Sequence, residues 1–378
     1  MVSWVGQDLN RDSNSMTIAP GARTIRLDRP IDLEFGETLK EATVAYETWG
    51  ELSPNRDNVI LLIPAFSAGS HASSTAADPS PGWWQSLIGL EKPLDTRQFF
   101  VICPSILGSC YGTTGPASPS PDSKEDAAWG ADFPTISIRD MVTIHGLLLD
   151  ALNIDHVHAV VGGSLGGMQS IQFGVQFPSR AHRIVSISAT DQTRPYTAAI
   201  RHIGRQSIIN DPAWKKGRYG DTPPLDGLRR AREVGTLFYR SREEFNERFD
   251  WDPVEEPSVD RMVFDVQRYL LHQGQKVVRH FDANCYLTLS MAMDLHHIGR
   301  GFPSIEAAVN GITASVLVAG VIEDRLIPCD EQRDLAKLLL ACGIDTQWTE
   351  LSSPVGHDTF LVDMDMMAEL IGPFLSQG

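Results

Sequence analysis

Short apolar runs punctuate the chain at intervals. Residues 58–64, Asn-Val-Ile-Leu-Leu-Ile-Pro, are almost continuously hydrophobic, and residues 99–103, 157–161, 184–188 and 314–319 repeat the signature. Runs this short, without alternation, suit strands covered on both faces, as in a parallel sheet. Residues 42–49, Ala-Thr-Val-Ala-Tyr-Glu-Thr-Trp, are β-rich and close on the turn formers Ser53-Pro54-Asn55. Residues 346–351 read as one more strand. Helical periods lie between some of these runs. Over 138–152 the period places Met141, Ile144, Leu147, Leu148 and Leu152 on one stripe, and 168–177 and 330–340 follow strands in the same way. Buried strands alternating with amphipathic helices predict an α/β fold with a mostly parallel, doubly wound sheet. Residues 1–40 read as irregular chain leading into edge strands, and 117–126 as a loop rich in Pro, Ser and Asp.

That rhythm breaks between residues 194 and 303. The stretch is charge-rich and helix-like, as at 228–234, 241–249 and 261–273, and lacks a convincing buried strand. The predicted division is therefore a core from 1–193 and 304–378, with 194–303 inserted as a helical cap. Such a cap lies over the carboxyl edge of the sheet, where open α/β folds bind ligands.

Composition narrows the function. In 378 residues, 42% are hydrophobic and 21% charged, a globular balance. A formal net charge of −16 argues against nucleic acid or an anionic membrane as partner, because both need basic patches. No apolar run approaches the ~20 residues that span a bilayer, and the N-terminus lacks a basic start followed by an apolar stretch. Five scattered cysteines without CxxC spacing suggest reduced thiols in a cytoplasmic protein.

The sharpest chemical signal is Gly162-Gly163-Ser164-Leu165-Gly166-Gly167, between the run 157–161 and the helix from about residue 168. A serine pressed between glycines at a strand-to-helix turn has the geometry of a nucleophile elbow. The turn lifts its hydroxyl above the sheet and aims the Leu165 amide at a developing oxyanion, beside the positive end of the helix. A serine hydroxyl needs a base, and in such folds the acid and then the histidine follow the serine in chain order. His357, in the loop Ser353-Pro354-Val355-Gly356-His357-Asp358 after the last strand, has the expected place. Asp324, after the strand near 314–319, is the candidate acid, with Glu323 as its competitor. An exposed-loop role for both acids is the plainer alternative. The second oxyanion donor is expected from the loop after residues 58–64, and the Phe66 amide is the candidate. Losing one such donor typically costs roughly 2.7–4 kcal/mol of barrier. Of the other histidines, His145, His182 and His272 read as packing or surface residues. The pair His296-His297 has no third ligand at metal spacing, so no metal site is expected.

These residues resemble the homoserine O-acetyltransferase family, including its serine-using relatives. The resemblance runs from Val44-Ala45-Tyr46-Glu47-Thr48-Trp49-Gly50 to Gly356-His357-Asp358. It is carried by Pro81-Gly82-Trp83-Trp84, by residues 107–116 (Leu-Gly-Ser-Cys-Tyr-Gly-Thr-Thr-Gly-Pro), by Gly162-Gly163-Ser164-Leu165-Gly166-Gly167-Met168-Gln169, and by Phe281-Asp282-Ala283-Asn284. It implies an α/β-hydrolase fold and ping-pong acyl transfer. Ser164 would take an acetyl or succinyl group from an acyl-CoA cosubstrate, acetyl being favoured, and pass it to the side-chain hydroxyl of L-homoserine or L-serine. His357 would act as base and then acid, oriented by Asp324. Arg205, in Ile203-Gly204-Arg205-Gln206, matches the family position for the substrate carboxylate, and Asp358 would take the substrate ammonium. The resemblance also implies a homodimer formed through the cap, in methionine- or cysteine-type biosynthesis.

The chain departs from the homoserine branch where that branch reads His-Ala-Leu-Thr-Gly. Here Pro64-Ala65-Phe66-Ser67-Ala68 stands instead, and a methyl at position 68 is expected to narrow the acyl site. In addition, His71-Ala72-Ser73-Ser74, Asp78-Pro79-Ser80-Pro81, residues 281–286 and Ala292-Met293-Asp294 look like the serine-using branch, whereas the Gly163–Gln169 elbow resembles the homoserine enzymes. One methylene separates the two acceptors, worth only about 1–3 kcal/mol in a pocket. Arg194, Arg201 and Lys215-Lys216 are candidates for the phosphates of CoA at the cleft mouth, against ordinary surface charge. No metal or prosthetic group is called for. A serine esterase would share the same triad, and a binding protein with a dead site is a further alternative.

Overall fold

The computed structural model describes residues 18–121, 123 and 127–376. Residues 1–17 of the N-terminal stretch read as irregular, and residues 122 and 124–126 of the 117–126 loop, lie outside the described residues.

The core is an eight-stranded sheet. Its strands are β1 (Arg23–Leu27), β2 (Ala42–Trp49), β3 (Val59–Ile63), β4 (Phe100–Pro104), β5 (Val157–Gly163), β6 (Ala181–Ile187), β7 (Ser315–Val321) and β8 (Thr346–Leu351). They lie in the order β1-β2-β4-β3-β5-β6-β7-β8. The ladders from β4 to β8 are all parallel, and β2 runs antiparallel to both its neighbours. This is the doubly wound α/β sheet that the apolar runs predict. Every residue of β3 is buried, and each fully buried Val, Leu or Ile contributes about 1.5–3 kcal/mol.

Helices cover both faces. α1 (Ile138–Ala151) opens on a capping box, in which Ser137 accepts from the Asp140 amide and Asp140 accepts from the Ser137 amide. α2 (Leu165–Gln176) follows β5 without a connecting loop. Between β6 and β7 the chain leaves the sheet and forms α3 (Pro195–Ile209), α4 (Leu225–Tyr239), α5 (Arg242–Arg248), α6 (Asp265–Val277), α7 (Ala283–Asp294) and α8 (Ile305–Val309). α6 starts four residues later than the periodicity at 261–273 suggests. Residues 261–264 take extended or turn conformations instead, and Gln267 accepts from the amides of Val263 and Phe264 to cap the helix. After β7 come α9 (Cys329–Ala341), α10 (Thr359–Val362) and α11 (Met364–Ser376).

The contact that sets the site is between β5, β3 and α2. A Cβ on Gly162 would lie 2.3 Å from the carbonyl carbon of Gly166, and one on Gly166 would lie 2.3 Å from the Ile63 carbonyl oxygen. Both obstacles are backbone, so neither can swing aside. Gly166→Ala is expected to cost about 1–3 kcal/mol through overpacking, read as a lower urea midpoint with an unchanged m-value. A midpoint equal to wild type would show that the helix does not need this close approach.

Candidate active site

Ser164 sits between β5 and α2 with φ 54° and ψ −119°, a conformation that L-residues rarely adopt. The surrounding ladder holds it there. Its amide donates to the Ile187 carbonyl at 2.8 Å, and its carbonyl accepts from the Met168 amide at 2.9 Å. The hydroxyl therefore stands above the carboxyl end of the sheet.

His357 reaches that hydroxyl from 193 residues away, with Nε2 2.8 Å from Ser164 Oγ. Its Nδ1 lies 2.7 Å from Asp324 Oδ2. Asp324 is itself held rigid, since Oδ1 accepts from the amides of Leu326 and Ile327, both at 2.9 Å, and Oδ2 also accepts from Gln332 Nε2. The competing acid turns away, because Glu323 accepts from the Ser352 hydroxyl and the Ser353 amide. Ser164, Asp324 and His357 are all buried. Burial alone would lower the affinity of His357 for its proton, but the charge of Asp324 and the hydrogen bond to it outweigh burial and raise it above the ordinary 6.5. This histidine can accept a proton from Ser164 while Asp324 holds its tautomer and stabilises the cation.

Phe66 and Ser67 line a cleft of about 700 Å³ that contains Ser164, His357 and Asp358. Several contacts fix this loop. Tyr111 donates to the Ser67 carbonyl at 3.0 Å, Trp83 Nε1 donates to the Gly69 carbonyl at 3.0 Å, and the Phe66 ring packs on Phe281 and Tyr286 with centroids 5.8 and 5.0 Å apart. Beside the histidine, Trp84 Nε1 donates to the Phe360 carbonyl at 2.8 Å. Ala68 is placed differently from expectation. Its amide closes a turn on the Ala65 carbonyl, and it is not among the residues lining the cleft.

The other walls come from α3, α4 and α7. Arg205 is not among the residues lining the cleft. Its guanidinium is taken up by Asp294 at 2.6 Å and by Ser290 Oγ at 2.9 Å. Arg201, one turn earlier, lines the cleft and is 7% exposed, so it does not sit at a mouth for phosphates. Its Nε donates to Asp294 Oδ1 at 2.6 Å and its Nη2 to Thr193 Oγ1 at 2.9 Å, while its Nη1 is buried without a partner. Arg232 on α4 also lines the cleft, with Nε buried and unpartnered and its guanidinium 5.1 Å from the Tyr239 ring centroid. Arg232, Tyr239 and Tyr286 went unnoticed as site residues in the sequence, where they look like ordinary helix positions. Asp358 lines the cleft and pairs with Arg240 at 3.2 Å. Next to it, the Ser241 hydroxyl donates to the Pro354 carbonyl.

The remaining candidates lie elsewhere. Arg194 pairs with Asp191, and Lys215 donates to Thr222 Oγ1. His296 is 2.9 Å from the Thr190 carbonyl, and burial pushes it down to about 4. His145 is 2.9 Å from Gln169 and pushed to about 4 for the same reason. Among the described residues, no three His, Cys, Asp or Glu side chains converge as metal ligands do.

Comparison with known proteins identifies the fold and the family. The family model described as the alpha/beta hydrolase fold matches residues 58–362. A serine O-succinyltransferase of Litchfieldella anticariensis is 45% identical over 94% of this chain and 98% of its own length. The crystal structure of a homoserine O-acetyltransferase from Bacillus anthracis superposes with a TM-score of 0.87, at 30% identity, over 94% of this chain and 97% of that one. The chain belongs to the homoserine O-acetyltransferase family of α/β-hydrolase-fold proteins. The same fold also carries esterase E22, with a TM-score of 0.86, 27% identity and coverage of 94% and 99%. The segments that carry the family resemblance now have a physical reading. Trp83, Trp84, Tyr111 and Phe281 lock the loops bearing Phe66 and His357, so the O-acyltransferase family signature marks the scaffold around the serine as much as the serine itself.

A fluorophosphonate probe is expected to label Ser164 and to leave Ser164→Ala unlabelled. Because His357 must be neutral to accept the serine proton, and its proton affinity is raised, labelling should fall as pH drops through a value above 6.5. Asp324→Asn is expected to slow labelling by about 10³–10⁴-fold, the loss that mispairing of the tautomer brings in such triads. A pH-independent labelling rate, or an unaffected Asp324→Asn variant, would remove His357 and Asp324 from the reaction.

Proposed function

We propose that the protein is an acyl-CoA-dependent O-acyltransferase that acylates the side-chain hydroxyl of L-serine or L-homoserine through an acyl-serine intermediate. His357 takes the Ser164 proton as Oγ attacks the thioester carbonyl. The carbon–sulfur bond breaks, the proton passes to sulfur, and CoA leaves as the thiol. The amino acid hydroxyl then attacks the acyl-serine, His357 removes its proton and returns it to Ser164 Oγ, and the new ester departs. The amides of Phe66 and Leu165 stabilise the oxyanion in both steps. CoA is a cosubstrate, and the chemistry needs no metal or prosthetic group.

The observation that carries this reading is that the cleft holding Ser164 also holds buried, unpartnered guanidinium nitrogens. A simple ester needs no such cation, whereas a zwitterionic amino acid needs one cation and one anion at fixed positions. Arg232 takes the acceptor carboxylate and Asp358 its ammonium. Arg205 acts indirectly by fixing Asp294. The helices from α3 to α7 fall within the cap expected over 194–303, which would keep water from the acyl-serine. They also present exposed Tyr196, Ile203 and Leu237, consistent with a homodimer formed through them. All five cysteines are free thiols, which supports a cytoplasmic setting. No helix among the described residues is long and apolar enough to cross a membrane.

Incubation with acetyl-CoA or succinyl-CoA and either amino acid is expected to release free CoA and form the O-acyl ester. No CoA release with any of the four pairs would overturn the reading. The fold shared with an esterase keeps hydrolysis as a second reading. It is favoured if CoA is released without an acceptor as fast as with one. Arg232→Met is expected to raise the acceptor KM at least ~30-fold while acyl-serine formation stays near wild type, since loss of one charge-assisted contact costs about 2 kcal/mol or more.

A further inference from the structure

Two guanidinium groups face the cleft, and the acceptor accounts for one. Arg232 is on α4, and Asp358 is tied to Arg240, the residue that ends α4. Arg232 and Asp358 together satisfy both charges of a free amino acid. Arg201 remains, on α3, with a buried Nη1 that has no partner.

Arg201 is built to stay where it is. Asp294 receives both Arg201 Nε and Arg205 Nη2 at 2.6 Å, and Thr193 receives Arg201 Nη2 at 2.9 Å. Two guanidinium groups share one carboxylate, which leaves about one uncompensated positive charge beneath the cap. An uncompensated buried cation is costly, and burial lowers the proton affinity of Arg201 despite the neighbouring Asp294. A fixed arginine with a free N–H and surplus charge is a site for a second anion. It shares the cleft with Ser164 and lies close enough to His357 for its charge to oppose protonation there.

We propose that Arg201 binds the distal carboxylate of a dicarboxylic acyl group on Ser164, so that the donor is a succinyl-type thioester rather than acetyl-CoA. This rests on the acyltransferase reading above and sharpens its donor. The bond changes are those already given. The distal carboxylate stays ionised throughout and only pairs with Arg201 Nη1. An acetyl group has no charge to offer Arg201 and leaves it unpaired, so discrimination comes from the cost of a buried cation without its anion.

The test separates donor from acceptor by omitting the acceptor. Wild-type protein is mixed with succinyl-CoA or acetyl-CoA alone, and intact mass and CoA release report the acyl-enzyme. Rapid, stoichiometric succinylation and acetylation at least ~30-fold slower are expected, the least that one lost charge pair should cost. Arg201→Gln drops the charge and should collapse the succinylation-to-acetylation rate ratio toward one, mainly through loss of succinylation. Arg201→Lys should restore part of the succinyl rate. Acetylation as fast as succinylation in the wild type overturns this inference and leaves the acyltransferase reading standing. Equal loss of both donors in a folded Arg201→Gln protein, checked by its melting temperature, also overturns it. If succinylation survives and only the acceptor KM rises, Arg201 holds the amino acid carboxylate and the inference fails. No acyl-enzyme and no CoA release with either donor, and none on adding amino acid, overturns the acyltransferase reading itself.

Discussion

The site depends on one close approach, that of β5 and α2 across Gly162 and Gly166. With no side chain on either residue, the backbones meet at a distance that any Cβ would forbid. The residue between them is forced to a positive φ, and it is Ser164. Such a conformation costs on the order of 1–3 kcal/mol and persists only where the surroundings over-determine it. Here β3 and β6 hold β5 on either side, and the Ile187 carbonyl and Met168 amide hold Ser164 itself. The strain is repaid in position, because the hydroxyl stands clear of the sheet where an imidazole from a distant loop can meet it.

Electrostatics around that point run against the protein as a whole. The chain carries a formal charge of −16, yet its cleft concentrates Arg201 and Arg232. Asp324 faces His357 and Asp294 faces the arginines, so both of these acids are already matched to a base. What remains is a small positive interior within a negative exterior, and net charge says nothing about it. A protein of this sign can bind anions when the binding charge is desolvated and fixed.

The sheet was legible because its information is local. The inner parallel strands are covered on both faces, so five residues such as Val59–Ile63 declare themselves without reference to their neighbours. The Gly162–Gly167 turn is legible for the same reason, since strand, serine and helix are contiguous. Asp324 and His357 could be named from chain order, but their contact with Ser164 is a tertiary fact that only the coordinates display. The arginines were harder. Arg201 and Arg205 are both on α3, four residues apart, and share one aspartate. Pattern cannot say which of them faces the cleft, and matching to the family picked the one that does not. Arg232 carried no signal, because a half-buried arginine on an amphipathic helix is commonplace. The start of α6 was misplaced because the capping role of Gln267 is decided by geometry rather than by periodicity.

The tie between the α4–α5 junction and the loop of His357 has a mechanical meaning. Arg240 grips Asp358 and Ser241 grips the Pro354 carbonyl, on both sides of the histidine in sequence. A roof pinned to the very loop that carries the proton acceptor cannot swing up like a door without dragging the imidazole away from its serine. Traffic into the chamber therefore has to thread a standing entrance, and the shape of that doorway, rather than a cycle of opening and shutting, decides which molecules arrive.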